Sequence, residues 1–449
     1  MAVAERETDQ TPLTPRQVTN VAHGLSYLSL TSFRTYREIS FDTGLDKGLG
    51  AVVLTGRNGA GKTNLLEAIS YLAPGSGMRQ ASIAEIESRQ PGNHPTGNLL
   101  TGNLLTGNNL AGNRPTTSAH PEDFGRQGGI AWAIHSRYLG RGGEHALGTG
   151  RDPLSFAQSG RERRVSRLNG AAMRSQAGFA EILTVLWLTP QMDRLFSEAA
   201  ASRRRFLDRL VYGLDPSHAA RVAAYEQAMR ERARILRGKA PVAGATDLGA
   251  WLSGLESEMA AQATAIAAAR LDAVASLNAA MAQAIGPFPQ AELAVTGFVE
   301  ESLATLSALQ AEDLLRDRLV AARGSDADSG VTQWGTHRSD LVVTLAGRHL
   351  GGAPLHANDC STGEQKALLI AIILAEARLS TRRRGEPPVI LLDEVAAHLD
   401  KARREALFAE LQALSAQCWL TGTERDIFQP LQGWAQFMTA GDGRLQSDA

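Results

Sequence analysis

The chain has 449 residues, which is too long for one compact core, so two or three folding units are expected. With 43% apolar and 21% charged residues, its composition is that of an ordinary globular protein. The formal net charge of −1 excludes a global basic field, so any surface for nucleic acid would have to be a local patch. Two cysteines, Cys360 and Cys418, exclude a disulfide framework and favour a reducing, cytoplasmic setting. No uninterrupted apolar run of about 18 residues occurs, so we expect no membrane span.

The first part of the chain alternates between predicted strands and a helix, after a polar tail at residues 1–22 that we expect to be disordered. Short β-branched and aromatic runs between residues 25 and 55 predict strands, and Thr63–Leu72 predicts a helix. Residues 88–121 contain tandem TGNLL-type copies. Their recurring Gly and Asn interrupt regular structure, so we expect a flexible, low-complexity insert. Strands return from residue 128 to residue 190.

From residue 196 to residue 330 the chain becomes rich in alanine and is predicted to be helical. Apolar residues between 251 and 285 recur mostly at spacings of three, four or seven, which predicts an amphipathic helix packed on a partner helix. Strands and helices alternate again from 331 to 449. This order predicts one mixed α/β head, assembled from residues 23–195 and 331–449, with residues 196–330 inserted as a helical arm.

A phosphate-binding loop is predicted between the strand that ends near residue 55 and the following helix. The segment fits G-x-x-x-x-G-K-[ST] in the strand–helix context that this motif requires. Its glycines let backbone N–H groups turn toward phosphate oxygens, and the helix N-terminus adds a partial positive charge. Lys62 can reach the β- and γ-phosphates, and the Thr63 hydroxyl can bind Mg²⁺. The predicted nucleotide site comprises Gly56, Arg57, Asn58, Gly59, Ala60, Gly61, Lys62 and Thr63.

An apolar run at residues 388–392 ends in two acids, Asp393 and Glu394. This pattern is typical of a buried parallel strand with carboxylates at its C-terminal end. Asp393 is placed to hold the Mg²⁺ shell. Because successive side chains of a strand point to opposite faces, Glu394 is expected on the other side, where it could polarise the attacking water. The predicted catalytic residues are therefore Lys62, Asp393 and Glu394.

The segment STGEQK, residues 361–366, opens an apolar helix shortly before this strand. Alone, Ser361 and Glu364 would indicate no more than a capping box. In ABC-type ATPases, a Ser-x-Gly helix N-terminus at this place presents an anion site to the γ-phosphate of a nucleotide held by another copy. We therefore assign Ser361, Gly363 and Gln365 to the half of the site that faces a partner, and we expect an ATP-dependent homodimer.

Taken in order, these motifs resemble the RecF family, which belongs to the SMC-like branch of ABC ATPases. The resemblance extends from about residue 25 to residue 425, the repeat insert excepted. Departures from the family pattern occur at Thr336, Ser339 and Glu364. The similar segments are GRNGAGKTNLLEAISYL, TPQMDRLFSEAAASRRRFLDRLV, GTHRSDL, STGEQKALLIAIILAEARL and PVILLDEVAAHLD.

The resemblance implies an ABC-type P-loop ATPase head, with a mixed sheet and flanking helices, that carries the helical arm. It adds Asn64 to the ATP and Mg²⁺ site and Asp400 to the dimer interface. RecF-like proteins bind ATP, dimerise and grip double-stranded DNA beside single-stranded gaps and junctions. With RecO and RecR they help load the RecA recombinase. Hydrolysis is slow in this family, so the expected enzyme activity is a weak ATPase that serves a DNA-binding cycle.

A basic stretch supports DNA binding independently of the resemblance. Residues 203–239 contain ten Lys or Arg against four Asp or Glu. Each DNA phosphate that such a patch neutralises adds a salt-dependent contribution to the binding free energy. This kind of binding suits a duplex recognised independently of its sequence. A solvated charged face is the alternative, and Arg204 could be structural because Phe206 and Leu207 beside it look buried. The candidate DNA contacts are Arg203, Arg204, Arg230, Arg234 and Arg237.

Three other P-loop functions fit part of the pattern. An ABC transport ATPase would share the motifs, but transporter subunits make do with a far shorter separation than the one between Lys62 and Ser361, which here holds a helical arm. A small-molecule kinase would need lid arginines and an acceptor pocket instead of STGEQK. A structural SMC head would carry a coiled coil much longer than the inserted arm allows.

Overall fold

The computed structural model describes residues 22–87, 132–152, 163–238, 247–283 and 286–448. The predicted tail, up to residue 21, and the repeat insert, from residue 88, lie outside these ranges. The strands in chain order are β1 Gly24–Phe33, β2 Tyr36–Asp42, β3 Ala51–Thr55, β4 Ala133–Gly140, β5 Gly143–Asp152, β6 Arg163–Leu168, β7 Ala171–Ala172, β8 Val185–Leu188, β9 Ala291–Thr296, β10 Asp340–Leu350, β11 Ala353–His356, β12 Val389–Leu392, β13 Cys418–Thr421, β14 Ala435–Gly441 and β15 Arg444–Ser447.

The described α-helices are α1 Lys62–Ser70, α2 Ile83–Ile86, α3 Phe179–Ile182, α4 Ala200–Leu214, α5 His218–Leu236, α6 Leu248–Ala282, α7 Phe298–Leu303, α8 Ala308–Ala321, α9 Arg323–Ser329, α10 Thr362–Arg384 and α11 Lys401–Leu414. Short 3₁₀ helices connect several of them, and the one at Pro190–Ser197 follows β8 directly. The helices predicted from residues 63, 251 and 361 are therefore present as α1, α6 and α10, with ends that differ by a few residues.

A six-stranded sheet in the order β15-β14-β3-β13-β12-β8 forms the centre of the head. Its strands are parallel except for β15, which pairs antiparallel with β14 at one edge. Along β3, Ala51 and Val53 belong to one apolar core, whereas Val52 and Leu54 belong to the other. The sheet is thus buried on both faces, which explains why its strands are uninterrupted apolar runs.

Different elements cover the two faces of this sheet. On one side, α1 and an antiparallel sheet in the order β2-β1-β4-β5-β6-β7 close the core. On the other side, α4, α10, α11 and the C-terminal part of α6 pack against it. A three-stranded sheet, β11-β10-β9, adjoins the second face. Both ends of the chain contribute strands to the central sheet, as the α/β pattern predicts.

The arm has its own small core, which contains Tyr225, Met259, Ile266 and Leu315 from α5, α6 and α8. Helix α6 continues from this core into the head, where Leu277 packs among the head side chains. The predicted domain boundaries at residues 196 and 330 stay predictions, since the longest helix of the arm is shared between the two cores.

Among the described residues, α6 is the one helix that is long and apolar enough to cross a membrane by length and composition. We expected no span because α6 lacks an uninterrupted apolar run, but its many alanines raise its average hydropathy. The helix also carries the buried charged residues Glu256 and Arg270. Core helices of soluble proteins meet the same criterion, so this single helix is weak evidence for a membrane span.

A buried ion-pair cluster fixes α6 against α4 and α5. Arg270 donates from Nε and Nη2 to the two carboxylate oxygens of Asp208, each at 2.9 Å. His218 Nε2 lies 2.8 Å from the same carboxylate. Burial alone would raise the pKa of Asp208, but Arg270 and His218 together lower it to about 2. The carboxylate is therefore ionised at neutral pH and neutralises Arg270 where the arm joins the head.

Asp208→Asn should destabilise the protein by about 3–5 kcal/mol at pH 7, because the buried Arg270 would lose its hydrogen-bonded counter-ion and keep only the longer ion pair with Glu300, at 3.7 Å. The folded pKa of Asp208 is lower than that of an unfolded aspartate. The contribution of the Asp208 carboxylate to the stability of the protein is therefore complete above a pH of about 4 and is lost as the pH falls toward 2. Urea unfolding of the parent and the variant at pH 7, 5 and 3 should show a difference that shrinks at the lowest pH.

Asp317→Asn, at an exposed position of α8, is the matched control and should change the free energy of unfolding by less than about 0.5 kcal/mol. An Asp208→Asn protein as stable as its parent at pH 7 would contradict this account of the cluster.

Candidate nucleotide-binding site

The phosphate-binding loop lies between β3 and α1, where the sequence places it. Gly56 and Gly61 have φ angles of 138° and 102°, in the region that favours glycine. A Cβ on Gly56 would lie 2.4 Å from the carbonyl oxygen of Ala440, and one on Gly61 would lie 2.7 Å from Thr35 Oγ1. The loop therefore needs glycine at these two positions for its backbone angles and for space.

Lys62 is the first residue of α1, and its ammonium group folds back onto the loop. Its Nζ donates to the carbonyl oxygens of Gly56 at 2.6 Å and Arg57 at 3.0 Å. Burial lowers the pKa of Lys62, while the nearby carboxylates Glu394 and Asp393 raise it. Two backbone carbonyls thus hold the ammonium group in a place where phosphate oxygens could replace them.

Thr63 and Asp393, 330 residues apart in the sequence, meet at the C-terminal end of β12. Thr63 Oγ1 donates to Asp393 Oδ1 at 2.9 Å, and Thr421 at the end of β13 donates to the same oxygen at 2.8 Å. Burial raises the pKa of Asp393, whereas the two threonine hydroxyls lower it. Hydroxyl and carboxylate oxygens are the ligands that Mg²⁺ prefers, so the side chains at this point fit the predicted metal.

Glu394 does not belong to the strand, because β12 ends at Leu392. The alternation of side chains that placed it on the opposite face of a strand therefore does not apply. Its φ of 53° is left-handed, a conformation that costs a non-glycine residue about 1–2 kcal/mol. Its backbone N–H donates to Thr421 Oγ1 at 2.8 Å. The turn thus holds Glu394 half-buried beside Asp393, within electrostatic reach of Lys62.

Asn64 has a different environment from the one that the resemblance implies. Its Nδ2 donates to Thr35 Oγ1 at 3.0 Å, and its Oδ1 accepts from Arg79 Nη1 at 2.9 Å. Arg79 also lies 3.4 Å from the buried Glu67. Both ends of the Asn64 amide are therefore engaged with protein, and its assignment to the nucleotide and Mg²⁺ stays a prediction.

The residues assigned to the partner-facing half-site lie at the N-terminus of α10. Ser361 caps the helix, since its Oγ accepts from the N–H of Glu364 at 3.3 Å and its own N–H donates to the Glu364 carboxylate at 3.0 Å. Ser361 and Gly363 are exposed, and a Cβ on Gly363 would meet nothing within 4 Å. Gln365 is buried instead, and its Nε2 donates to the Cys360 carbonyl at 2.9 Å. It supports the turn before the helix.

Asp400 caps α11, because its Oδ1 accepts from the backbone N–H of Arg403 at 2.9 Å. The residue is exposed, which leaves its predicted place at a dimer interface open as a prediction.

Arg203 and Arg204 join α4 to the start of β10. Arg203 donates from Nε and Nη2 to the carboxylate of Asp340 at 2.8 and 2.6 Å, and Arg204 Nη1 donates to the Ser339 carbonyl at 2.6 Å. Both guanidinium groups therefore serve the fold, and the contact of these two residues with DNA stays a prediction.

The other three predicted DNA contacts lie at α5. The side chain of Arg230 is 67% exposed and that of Arg234 is 41% exposed, and each pairs with a glutamate of the same helix. Arg237, just after the helix, donates to the Gly330 carbonyl at 2.6 Å. Exposed ion pairs contribute little to stability, so Arg230 and Arg234 stay available for another partner, and the assignment of all three arginines to DNA stays a prediction.

The central sheet, the phosphate loop and the α10 N-terminus together define an ABC-type P-loop ATPase head with an inserted helical arm. A family model described as an AAA domain matches residues 27–94. The DNA replication and repair protein RecF of Mesorhizobium japonicum is 42% identical over 425 residues, which cover 94% of this chain and 97% of that protein. RecF of Allorhizobium ampelinum is 40% identical over 424 residues, with 94% and 98% covered.

The fold is also that of a solved structure of "the recombination mediator protein RecF-ATP in RecFOR pathway". It aligns with a TM-score of 0.70 at 17% identity, over 96% of this chain and 99% of that one. From its relatives, the chain belongs to the RecF family of DNA replication and repair proteins. This membership places it in DNA replication and repair and sets aside the transporter and kinase alternatives.

Gly56→Ala should destabilise the protein by about 1–3 kcal/mol, because the new methyl group would force the loop and β14 apart. We expect at least about tenfold weaker binding of a fluorescent ATP analogue, since the phosphate-binding N–H groups would move. Gly75→Ala is the matched control. Gly75 also has a positive φ, of 94°, but its Cβ would meet nothing within 4 Å, so nucleotide affinity should not change. Equal affinities of the parent and Gly56→Ala would contradict the close-approach argument.

Proposed function

We propose that this chain is an ATP-dependent double-stranded-DNA-binding protein of recombinational repair and replication restart. It would dimerise on ATP, hydrolyse ATP slowly and, with RecO and RecR, help load RecA at single-stranded gaps in the cytoplasm. The observation that carries the proposal is the hydrogen bond between Thr63 and Asp393, which joins the phosphate loop to the acidic strand end. The RecF relatives and the likeness to a RecF-ATP structure in the RecFOR pathway support it.

At the nucleotide, the loop N–H groups and Lys62 would bind and orient the phosphates. Lys62 exchanges two neutral carbonyls for charged phosphate oxygens, which strengthens its hydrogen bonds. Thr63 and Asp393 would hold Mg²⁺, which neutralises phosphate charge when bound. Glu394 would orient the attacking water or accept its proton. One hydroxyl, that of Thr421, contacts both the Asp393 carboxylate and the Glu394 N–H, so the two acids are positioned together.

Completion of the site requires a second copy. Ser361 and Gly363 lie exposed at a helix N-terminus, where free N–H groups and the helix dipole favour an anion. In the proposed dimer this end of α10 faces the γ-phosphate held by the partner, and Asp400 supports the same interface. ATP is then enclosed between two subunits, and hydrolysis times their separation.

Double-stranded DNA, including junctions beside gaps, would be bound through backbone phosphates. Arg230, Arg234 and Arg237 at α5 are the remaining candidates for this contact. Binding carried by such residues is independent of base sequence and falls steeply with salt.

Glu394→Gln should bind ATP as tightly as the parent protein but hydrolyse it at least about 100-fold more slowly, because the amide cannot accept a proton. Dimers and their complexes with duplex DNA should therefore accumulate. Light scattering with and without Mg²⁺-ATP and gapped duplex DNA, together with single-turnover hydrolysis, measures both effects. Lys62→Ala is the control variant that should not bind ATP, and its DNA binding should therefore not respond to ATP. A Glu394→Gln protein that stays monomeric in saturating Mg²⁺-ATP would refute the two-subunit site.

Gly363→Ala separates the stability of one subunit from dimerisation. In the free subunit a Cβ at this helical position meets nothing, and alanine is a better helix former by about 0.8–1 kcal/mol, so the melting temperature should not fall. In the proposed dimer the methyl group would face the partner's phosphates. We expect ATP-induced dimerisation to weaken at least about tenfold, an effect of roughly 1.4 kcal/mol. Unchanged dimerisation would place Gly363 outside the interface.

A further inference from the structure

Lys366, in the second turn of α10, is a buried lysine whose ammonium group has no hydrogen-bond acceptor among the described residues. It is 6% exposed, and its Nζ lies 3.6 Å from Asp193 Oδ2, beyond the range of a hydrogen bond. Burial lowers the pKa of Lys366, whereas Asp193 and Glu394 raise it. Asp193 is thus within ion-pair distance of Lys366 but gives it no hydrogen bond, so we expect the buried ammonium group to gain an acceptor in another state of the protein.

The two carboxylates near Lys366 lie at one edge of the central sheet. Asp193 belongs to the 3₁₀ helix that follows β8, and Glu394 follows β12. Strands β8 and β12 are parallel neighbours, so their C-terminal ends meet at the same edge. Helix α10 packs against the 3₁₀ helix and brings Lys366 to this edge.

Within the described part of the chain, the carboxylate of Glu394 accepts no hydrogen bond, although its backbone N–H is held by Thr421. Two ammonium groups lie within its electrostatic reach, those of Lys62 and Lys366. Lys62 already donates to two loop carbonyls and would turn to phosphate oxygens when ATP binds. Lys366 forms a 3.6 Å ion pair with Asp193 but has no hydrogen-bond acceptor among the described residues, so it is the nearby cation that can still orient the Glu394 side chain.

We propose that Lys366 is a positioning residue whose ammonium group orients the Glu394 carboxylate toward the water that attacks ATP. The inference rests on the proposed function, because it requires Glu394 to activate that water. Ser361 caps the same helix, and at 100° per residue Lys366 lies about 140° around the helix from it. One helix would then serve its own subunit's site on the buried side and the partner's nucleotide at the exposed end.

The test is a double-mutant cycle that combines Lys366→Met with Glu394→Gln in the full-length protein. The readout is single-turnover hydrolysis at saturating Mg²⁺-ATP. Lys366→Met should lower the rate at least about tenfold and leave the affinity for a fluorescent ATP analogue within about twofold. In the Glu394→Gln background the same change should alter the rate by less than about twofold, because the group through which Lys366 acts is gone. Lys366→Arg keeps the charge and should recover most of the rate.

Lys47→Met, at an exposed lysine, is the matched control and should hydrolyse ATP at the parent rate. If Lys366→Met fails to fold by thermal unfolding, Lys366→Gln replaces it, since it removes the charge with a smaller loss of hydrogen-bonding capacity. Two results would overturn the positioning role of Lys366 and leave the role of Glu394 intact. One is that Lys366→Met, or Lys366→Gln, hydrolyses ATP at the parent rate. The other is that the Lys366 substitution slows hydrolysis equally in the parent and in Glu394→Gln. A parent-like rate in Glu394→Gln overturns the proposed role of Glu394 and this inference with it.

Discussion

The pairing of β3 with β13 and β14 is the constraint on which the rest of the molecule depends. A strand from the beginning of the chain is hydrogen-bonded on both sides to strands from its end. This pairing brings Thr63 to Asp393 and gives the phosphate loop its close contact with Ala440. Neither end of the chain could build the site alone. Strand β8, from the middle of the chain, completes the same sheet beside β12.

The arm segment contains two groups of buried ion pairs. Arg270 on α6 pairs with Asp208 where the arm joins the head, and the fully buried Arg232 pairs with Glu256 and Asp326 inside the arm. Buried pairs of this kind add little net stability, but breaking one leaves an uncompensated charge. A rearrangement of these helices that separates a pair is therefore unfavourable.

The sequence predicted the fold and the main motifs because these depend on periodicity and on local patterns. Loop, capping box and buried strand can each be recognised from a few neighbouring residues, and the contact of Thr63 with Asp393 then follows from the parallel sheet. Side-chain partners could not be predicted in this way. A run of arginines looks the same whether or not Asp340 and Ser339 lie opposite Arg203 and Arg204.

Backbone conformation was equally hidden from the sequence. The residues next to Glu394 in the sequence do not indicate its left-handed backbone conformation. That conformation is stabilised by the hydrogen bond that its backbone N–H donates to Thr421, at the end of the neighbouring strand. The sequence did not single out Lys366, because its local pattern has an ordinary explanation. Its position in STGEQK reads as part of a helix motif, and only its burial near Asp193 distinguishes it from a surface lysine.

The position of β3 between strands from the far end of the chain also has a consequence for biosynthesis. A ribosome working at about 5–20 residues per second needs on the order of 20–70 s to travel from Thr55 to Cys418. Throughout that interval Val52 and Leu54 have neither of the strands that flank them in the finished sheet. The head can therefore close only after β13 and β14 have been synthesised. Until then, its apolar strands are natural targets for chaperones, and premature termination would release a chain with an unpaired, aggregation-prone edge.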